Sequence, residues 1–369
     1  MSLAQTRIQD IISRSRLDKN EFIRRQFGAL DLFIDQSKKA NSMIPAELKQ
    51  RALGSIGTGI KFPVLKYNGD VQVSNARSCV IPAAENTSAM VELTFITYFV
   101  GVSMIPSLYM NNEISYERDL TKKLLDASRS MQNKMDQDAI TALSAAKTQV
   151  LNEKLLYDFT GNVLTVPFMA KDNVLGDLDP MFSSNGFDGG IHVLSDFALQ
   201  ALILKLGQLG PQNIINKHLE YLGKNYWTSK NMVKESGQFS TFYAIEDGNL
   251  DLVCRADREA VRGAAGAGHE WWIGRLPELD LPMGIHYYEE VGDFSKVASG
   301  VGTSGTADEA FADMTCVLGQ KWGFSIDVAY VTAYNSAPTT LPNPYLKGVI
   351  ESGEGFGLPV YVTNQNNGE

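Results

Sequence analysis

Histidines are the first residues to test for chemistry, because imidazole is a common metal ligand and titrates near neutrality. His192, His218, His269 and His286 stand far apart with no HxH or HxxxH spacing, so the sequence supplies no local metal site. Cys79, Cys254 and Cys316 are odd in number and widely spaced, offering neither a disulfide framework nor a CxxC knuckle, and a reducing compartment fits them best. Glu289-Glu290 and Asp308-Glu309 are adjacent in sequence, which in a strand sends the two carboxylates to opposite faces. There is no GxSxG, no HExxH and no kinase set. The stretch Gly263 to Gly268 lacks both the GxGxxG spacing and the Walker Lys-Ser/Thr, and reads as a flexible loop. Asp247-Gly248-Asn249-Leu250-Asp251 alternates oxygen ligands as a calcium loop does, but Arg258 stands where a bidentate Glu belongs, so it reads as a hairpin turn. The expectation is no catalytic residue, no metal site and no cofactor.

If the chain does no chemistry, its elements must carry the function. The 369 residues predict two or three domains, and 44% apolar residues are ample for sizeable cores. The net charge of −9 excludes a protein that grips nucleic-acid phosphates over its whole surface. The first 51 residues run against that balance at +4. The N-terminus has neither the apolar core nor the cleavage site of a signal peptide. Leu93 to Asn112 runs uncharged for the length of a membrane span, but its Thr, Gly, Ser, Pro and Asn content, with Phe, Tyr, Val and Ile between, predicts a long buried strand.

Phe22, Ile23, Phe27, Leu30, Phe33 and Ile34 recur at helical spacing, making an apolar stripe that lies on its own domain, on another subunit or, as the least favoured alternative, on a membrane surface. Strand-like runs, Ile60 to Tyr67 and Val71 to Ile81, flank Asn68-Gly69, the strongest short-range hairpin signal. Lys61, Lys66, Asp70 and Arg77 keep this hairpin polar, so it projects as an arm and leans on a neighbouring surface. Glu113 to Val150 contains neither Gly nor Pro. Leu120, Leu124, Ala127, Met131, Met135, Ala142, Ala146 and Val150 trace one face of it, with Asn112 as N-cap, giving a rod of about 57 Å if unbroken.

The second half reads as mixed α and β. Strands are expected at Val163 to Met169, Phe239 to Ile245, Leu250 to Cys254 and Trp322 to Tyr334. Helices are expected at Ser195 to Leu209 and Gln212 to Leu222, with a loop from Gly176 to Gly190 and a loose polar tail from Gln365 to Glu369. Tyr226-Trp227, Trp271-Trp272 and Tyr287-Tyr288 read as core anchors or interface anchors.

The order of these elements resembles the major capsid protein of tailed bacteriophages with the Hong Kong 97 fold. The carriers are the hairpin at Asn68-Gly69, the strand Glu92 to Met104, the helix Glu113 to Val150 with its ending MDQDAITALSAAKTQV, and the returning strand Trp322 to Tyr334. The resemblance implies an α+β fold with an N-terminal arm at 1–55, an extended loop and flanking strands at 56–104 and a peripheral domain at 105–190 with a spine helix at 113–150. An axial domain would occupy 191–320, followed by a return to the peripheral domain and a C-terminal tail at 321–369.

It further implies a virion protein, assembled in the host bacterial cytoplasm, that forms hexamers and pentamers of itself in an icosahedral shell around double-stranded DNA. Its implied partners are a separate scaffolding protein, a portal and decoration proteins, with weak non-specific DNA contact and no membrane. Some members crosslink through Lys and Asn, which would engage Lys61 or Lys66, although ordinary surface lysines explain both. The alternatives are an encapsulin-like compartment shell and a soluble enzyme on a helical scaffold.

Overall fold

A computed structural model describes residues 5–6, 8–10, 27–39, 42, 44–54, 59–65, 88–109, 115–146, 157–160, 163–206, 219–256, 258–263, 265–266, 268–279, 281–292, 317–332 and 344–353. The chain is mixed α and β and divides into two compact units, the first formed by Met1–Ala146 and Gly248–Ala337, the second by Lys147–Asp247 and Pro338–Glu369. The expected axial segment 191–320 is therefore split at Asp247 and Gly248, and the later part of 105–190 falls in the second unit.

The first unit is a long helix laid on a sheet. Helices α1 (Gly28–Lys38) and α2 (Ala46–Gly54) precede strands β1 (Gly59–Leu65), β2 (Ser88–Thr94) and β3 (Ile96–Met104), then helix α3 (Tyr116–Ala145). The stripe residues Phe27, Leu30, Phe33 and Ile34 are all buried, and α1 packs on its own chain against α3. Phe22 and Ile23 lie outside the described residues.

The α3 rod is 30 residues, about 45 Å, and starts later than expected. Its N-cap is Ser115, whose hydroxyl accepts from the Arg118 amide, with Glu117 and Asp119 in the first turn on the favourable side of the dipole. The apolar stripe holds from Leu120 to Met135 and then drifts to Ala139 and Leu143 rather than Ala142 and Ala146, as a 3.6-residue repeat does over several turns. Asp119 pairs with Lys123 at 3.1 Å, in the i,i+4 order that helices favour.

Beneath α3 lies a six-stranded sheet of β3, β10 (Leu250–Ala256), β11 (Ala265–Gly266), β12 (His269–Gly274), β13 (Met283–Gly292) and β14 (Val317–Thr332), with helix α6 (Arg258–Arg262) between β10 and β11. The expected single strand from Glu92 breaks at Phe95 into β2 and β3, which belong to different sheets. Tyrosines fasten helix to sheet: Tyr98 donates to Asp138 at 2.8 Å, Tyr330 to the Met135 carbonyl at 2.8 Å, and Tyr116 to Gln320 at 2.6 Å.

The second unit is a seven-stranded mixed sheet in the order β4 (Asp158–Thr160), β5 (Val163–Val166), β15 (Tyr345–Glu351), β9 (Gln238–Glu246), β6 (Ile191–Ser195), β8 (Lys224–Thr228) and β7 (Leu219–Tyr221), with helices α4 (Val174–Ser183) and α5 (Phe197–Leu206). Three expectations fail here. The glycine-bearing stretch expected as a loop begins inside α4, because Val174, Leu175, Leu178, Met181 and Phe182 form a buried helical stripe that outweighs Gly176 and Pro180. Leu219–Tyr221, expected as helix, is an edge strand, and 212–218 lies outside the described residues. Strands β9 and β10 flank Asp247-Gly248 as expected but do not pair, since β9 belongs to this sheet and β10 to the other. That turn joins two sheets, with Gly248 at φ +83°.

Candidate functional site

The expected hairpin exists in altered register. β1 pairs with β2, Gly59 opposite Thr94 through Leu65 opposite Ser88, so the partner of the first run is 88–94 rather than 71–81. Asn68-Gly69, Lys66 and the second run lie outside the described residues. Among the described residues this two-stranded ribbon pairs with no third strand. Its register alternates Ile60–Leu93, Phe62–Val91 and Val64–Ala89 with the exposed pair Lys61–Glu92, whose charges are 3.7 Å apart.

The root of the ribbon is rigid. Leu93 is buried with Ile44, Val253, Ala329 and Val331, and Leu48 and Phe95 pack on that cluster. The Arg255 guanidinium lies 4.3 Å from the Phe95 ring centre and its Nε donates to Asp327 at 2.7 Å. Asp327 also accepts from the Thr97 hydroxyl at 2.7 Å. A clamped base therefore carries a ribbon which by itself has marginal stability in water.

The face of the six-stranded sheet turned away from α3 is the second surface. Strand alternation places Phe99 and Gly101 of β3, Lys321 and Gly323 of β14, His286 and Tyr288 of β13, and His269 and Trp271 of β12 on it. Trp271 and His286 stack nearly parallel with ring centres 3.8 Å apart, and His269, His286 and Tyr288 stack with centres about 5 Å apart. His269 Nδ1 and His286 Nε2 share a hydrogen bond of 2.8 Å. Lys321 pairs with Glu290 and lies 5.5 Å from the Tyr288 ring centre. Phe99, 69% exposed, covers Gly323, where a Cβ would meet its ring at 2.8 Å. Phe99, His269, His286, Tyr288, Lys321 and Gly323 are among the residues that line an open hollow of about 590 Å³.

Spacing kept the four histidines apart, yet pairing of β12 with β13 brings two together, since His269 opposes Tyr288 and His286 opposes Trp271. His192 is a buried structural residue. The Trp227 indole donates to its Nδ1 at 3.2 Å, and because indole only donates, the imidazole proton sits on Nε2, 3.3 Å from Asp247. His218 lies outside the described residues, and no group of three or more metal-ligating side chains occurs among the described ones. The aromatic pairs divide by strand alternation. Trp272 and Tyr287 are buried while Trp271 and Tyr288 are half-buried on the opposite face, and Tyr226 and Trp227 are both in the core. Glu289 and Glu290 separate as expected, Glu289 accepting from Tyr287 and Glu290 pairing with Lys321.

Residues 265–266 form a two-residue strand paired with β12, and the turn residues Gly263 and Gly268 have φ of +62° and +81°. No described helix is long and apolar enough to cross a membrane. Cys79, Cys316, Asp308, Glu309 and the tail 365–369 lie outside the described residues.

No family model matches the chain, and no curated protein matches it. Solved phage structures are similar to it. A structure from Mycobacterium phage Che8 shares 11% identity over 83% of this chain and 89% of its own, with a TM-score of 0.44. The capsid structure of cyanophage P-SCSP1u shares 8% identity over 81% and 85%, with a TM-score of 0.42. The capsid of a native GTA particle shares 8% identity over 86% and 94%, with a TM-score of 0.42.

Proposed function

We propose that this chain is the major capsid protein of a tailed phage, assembling as hexamers and pentamers into an icosahedral shell around double-stranded DNA. The observation that carries this reading is the ribbon β1–β2: it is rooted in a hydrophobic cluster and clamped by Arg255 and Asp327, yet no described strand of its own chain extends it. Such an element gains its stability from a neighbouring copy, and many modest contacts of this kind add through multivalency. In this reading residues 1–55 are the arm, the ribbon belongs to the extended loop of 56–104, and α3 is the spine. The unit that contains α3 takes the peripheral role and the unit around 147–247 the axial role. A separate scaffolding protein and a portal are the expected partners.

Electron microscopy of the expressed chain, alone and with its scaffold, tests this. Closed icosahedral particles are expected, and particles from infected cells should protect double-stranded DNA from nuclease. Particles holding an enzyme cargo and no DNA would select the compartment shell instead. A chain that stays monomeric at high concentration with its scaffold present would overturn both.

A further inference from the structure

Gly101 of β3 and Gly323 of β14 stand directly opposite one another in the sheet of the first unit. Two facing glycines pack nothing and weaken a strand pair, and glycine inside a strand often marks a place where something approaches the backbone closely. One ring covers both. A Cβ on Gly101 would lie 3.9 Å from Phe99 Cε1, and one on Gly323 would lie 2.8 Å from Cε2 and 3.1 Å from Cζ, so the far end of the Phe99 ring bridges the two glycines. Phe99 is nevertheless 69% exposed, which leaves the side of the ring away from the glycines to solvent. An aromatic face supported from below is a stacking surface, and its negative quadrupole attracts polarised C–H groups.

Polar groups of both kinds surround this ring. Lys321 stands between Ser103 of β3 and Tyr288 of β13 and pairs with Glu290. Ser103 and His269 are exposed, and His269 uses only Nδ1 in its bond to His286. Ser103, His269, Glu290 and Lys321 line the same hollow as Phe99, and its 590 Å³ falls inside the range of roughly 300–1,000 Å³ that small-ligand sites occupy.

Charge decides between the two common ligands that stack on an aromatic ring. A nucleotide would bring its phosphate to an ammonium that Glu290 already neutralises, and would meet that carboxylate as a like charge. A sugar hydroxyl both donates and accepts, so adjacent hydroxyls can give to Glu290 and take from Lys321 with no charge to offset. A pyranose with equatorial hydroxyls also presents only C–H bonds on its two faces, which suits the open side of Phe99.

We infer that this hollow binds a neutral saccharide of glucose configuration, one ring face stacked on Phe99 and its hydroxyl edge held by Lys321, Glu290 and Ser103. The site lies within one chain and does not depend on the shell reading above.

The probe is cellobiose, titrated into the full-length chain and followed by saturation-transfer NMR. Transfer is expected to be strongest at the axial ring protons, with a Kd of roughly 1–10 mM for so open a site. Phe99→Ala should weaken binding about fivefold or more, whereas Phe99→Trp, which keeps an aromatic face, should bind at least as tightly as the parent. Both variants alter an exposed side chain and should keep the parent melting temperature. Gly323→Ala lifts the ring from its floor and should also weaken binding. Deoxyadenosine monophosphate should not compete. A parent chain that shows no transfer to cellobiose would overturn the inference, as would binding that Phe99→Ala leaves unchanged. Tighter binding of the nucleotide than of cellobiose would overturn it too, making the hollow a base-stacking surface instead.

Discussion

The carboxylate of Asp136, in the C-terminal half of α3, accepts a hydrogen bond from the Leu30 amide at 3.0 Å, and both residues are buried. Leu30 lies in the first turn of α1, where Phe27 provides no side-chain cap. A residue 106 positions away therefore supplies the cap that the local sequence lacks. Two further ties hold the same segment: the Gln36 side chain accepts from the Gly248 amide at 2.7 Å, and Asp251 accepts from the Ile44 amide at 3.0 Å.

Removing the Asp136 acceptor should be costly. Asp136→Ala leaves a buried amide unpaired and should lose about 1–3 kcal/mol in urea unfolding. Asp136→Asn keeps a carbonyl oxygen in place and should lose less than half as much. Equal losses for the two variants would show that the cap is not what the carboxylate contributes.

Asp251 makes a pH-dependent prediction. Burial raises its carboxyl above the usual value of 3.8, and the hydrogen bond and charge of Lys49, 2.8 Å away, only partly offset this. The folded state therefore holds the proton more tightly than the unfolded chain, so this contribution to stability is full below pH 3.8 and is lost as pH rises through the raised value. Lys49→Met should cost about 3 kcal/mol at pH 7, where it strands a buried carboxylate. The cost should shrink at pH 3.8, the ordinary carboxylate value, because the raised carboxyl is more than half protonated there. A loss that is the same at both pH values in denaturant titrations would reject the assignment.

What the sequence disclosed depended on whether the signal was local. The stripe on α3 from Leu120 to Met135, the alternation of Glu289 with Glu290 and the burial of Phe33 follow from periodicity, and all were legible. The ribbon's register was not, because Asn68-Gly69 advertised a tight turn while the strand that pairs with Gly59–Leu65 starts at Ser88. Strand β15 was missed altogether, although Tyr345, Leu346, Val349 and Ile350 are buried at the centre of the second sheet. Its Lys347 and Gly348 interrupt the apolar run, and its partners β5 and β9 lie far off in sequence. The His269–His286 contact was invisible for the same reason, since cross-strand neighbours are set by register and not by spacing.

Cys254 should be a slow thiol. Burial pushes it up to about 12, with Asp251 adding to the shift. At pH 8 its thiolate fraction is then about a thousandfold below that of an ordinary cysteine, and the thiolate is the reacting species. With Cys79 and Cys316 replaced by serine, maleimide labelling of the folded chain should lag an unstructured cysteine peptide by about that factor. Labelling within tenfold of the peptide would contradict it.

Two glycines that each face a phenylalanine ring should respond differently to the same substitution. At Gly323 a new Cβ would meet the Phe99 ring at 2.8 Å, and at Gly348 it would meet the Phe242 ring at 2.2 Å. Phe99 is 69% exposed and can swing into solvent, whereas Phe242 is fully buried in the core of the second unit and has nowhere to go. Gly323→Ala should therefore change stability by less than about 0.5 kcal/mol, as surface substitutions generally do. Gly348→Ala should lose about 1–3 kcal/mol, the usual cost of overpacking. Calorimetric melting of both variants checks the contrast. Equal shifts would mean that the Phe99 ring is as firmly held as the core ring, and that the hollow beside it is a fixed surface rather than one that adjusts to what covers it.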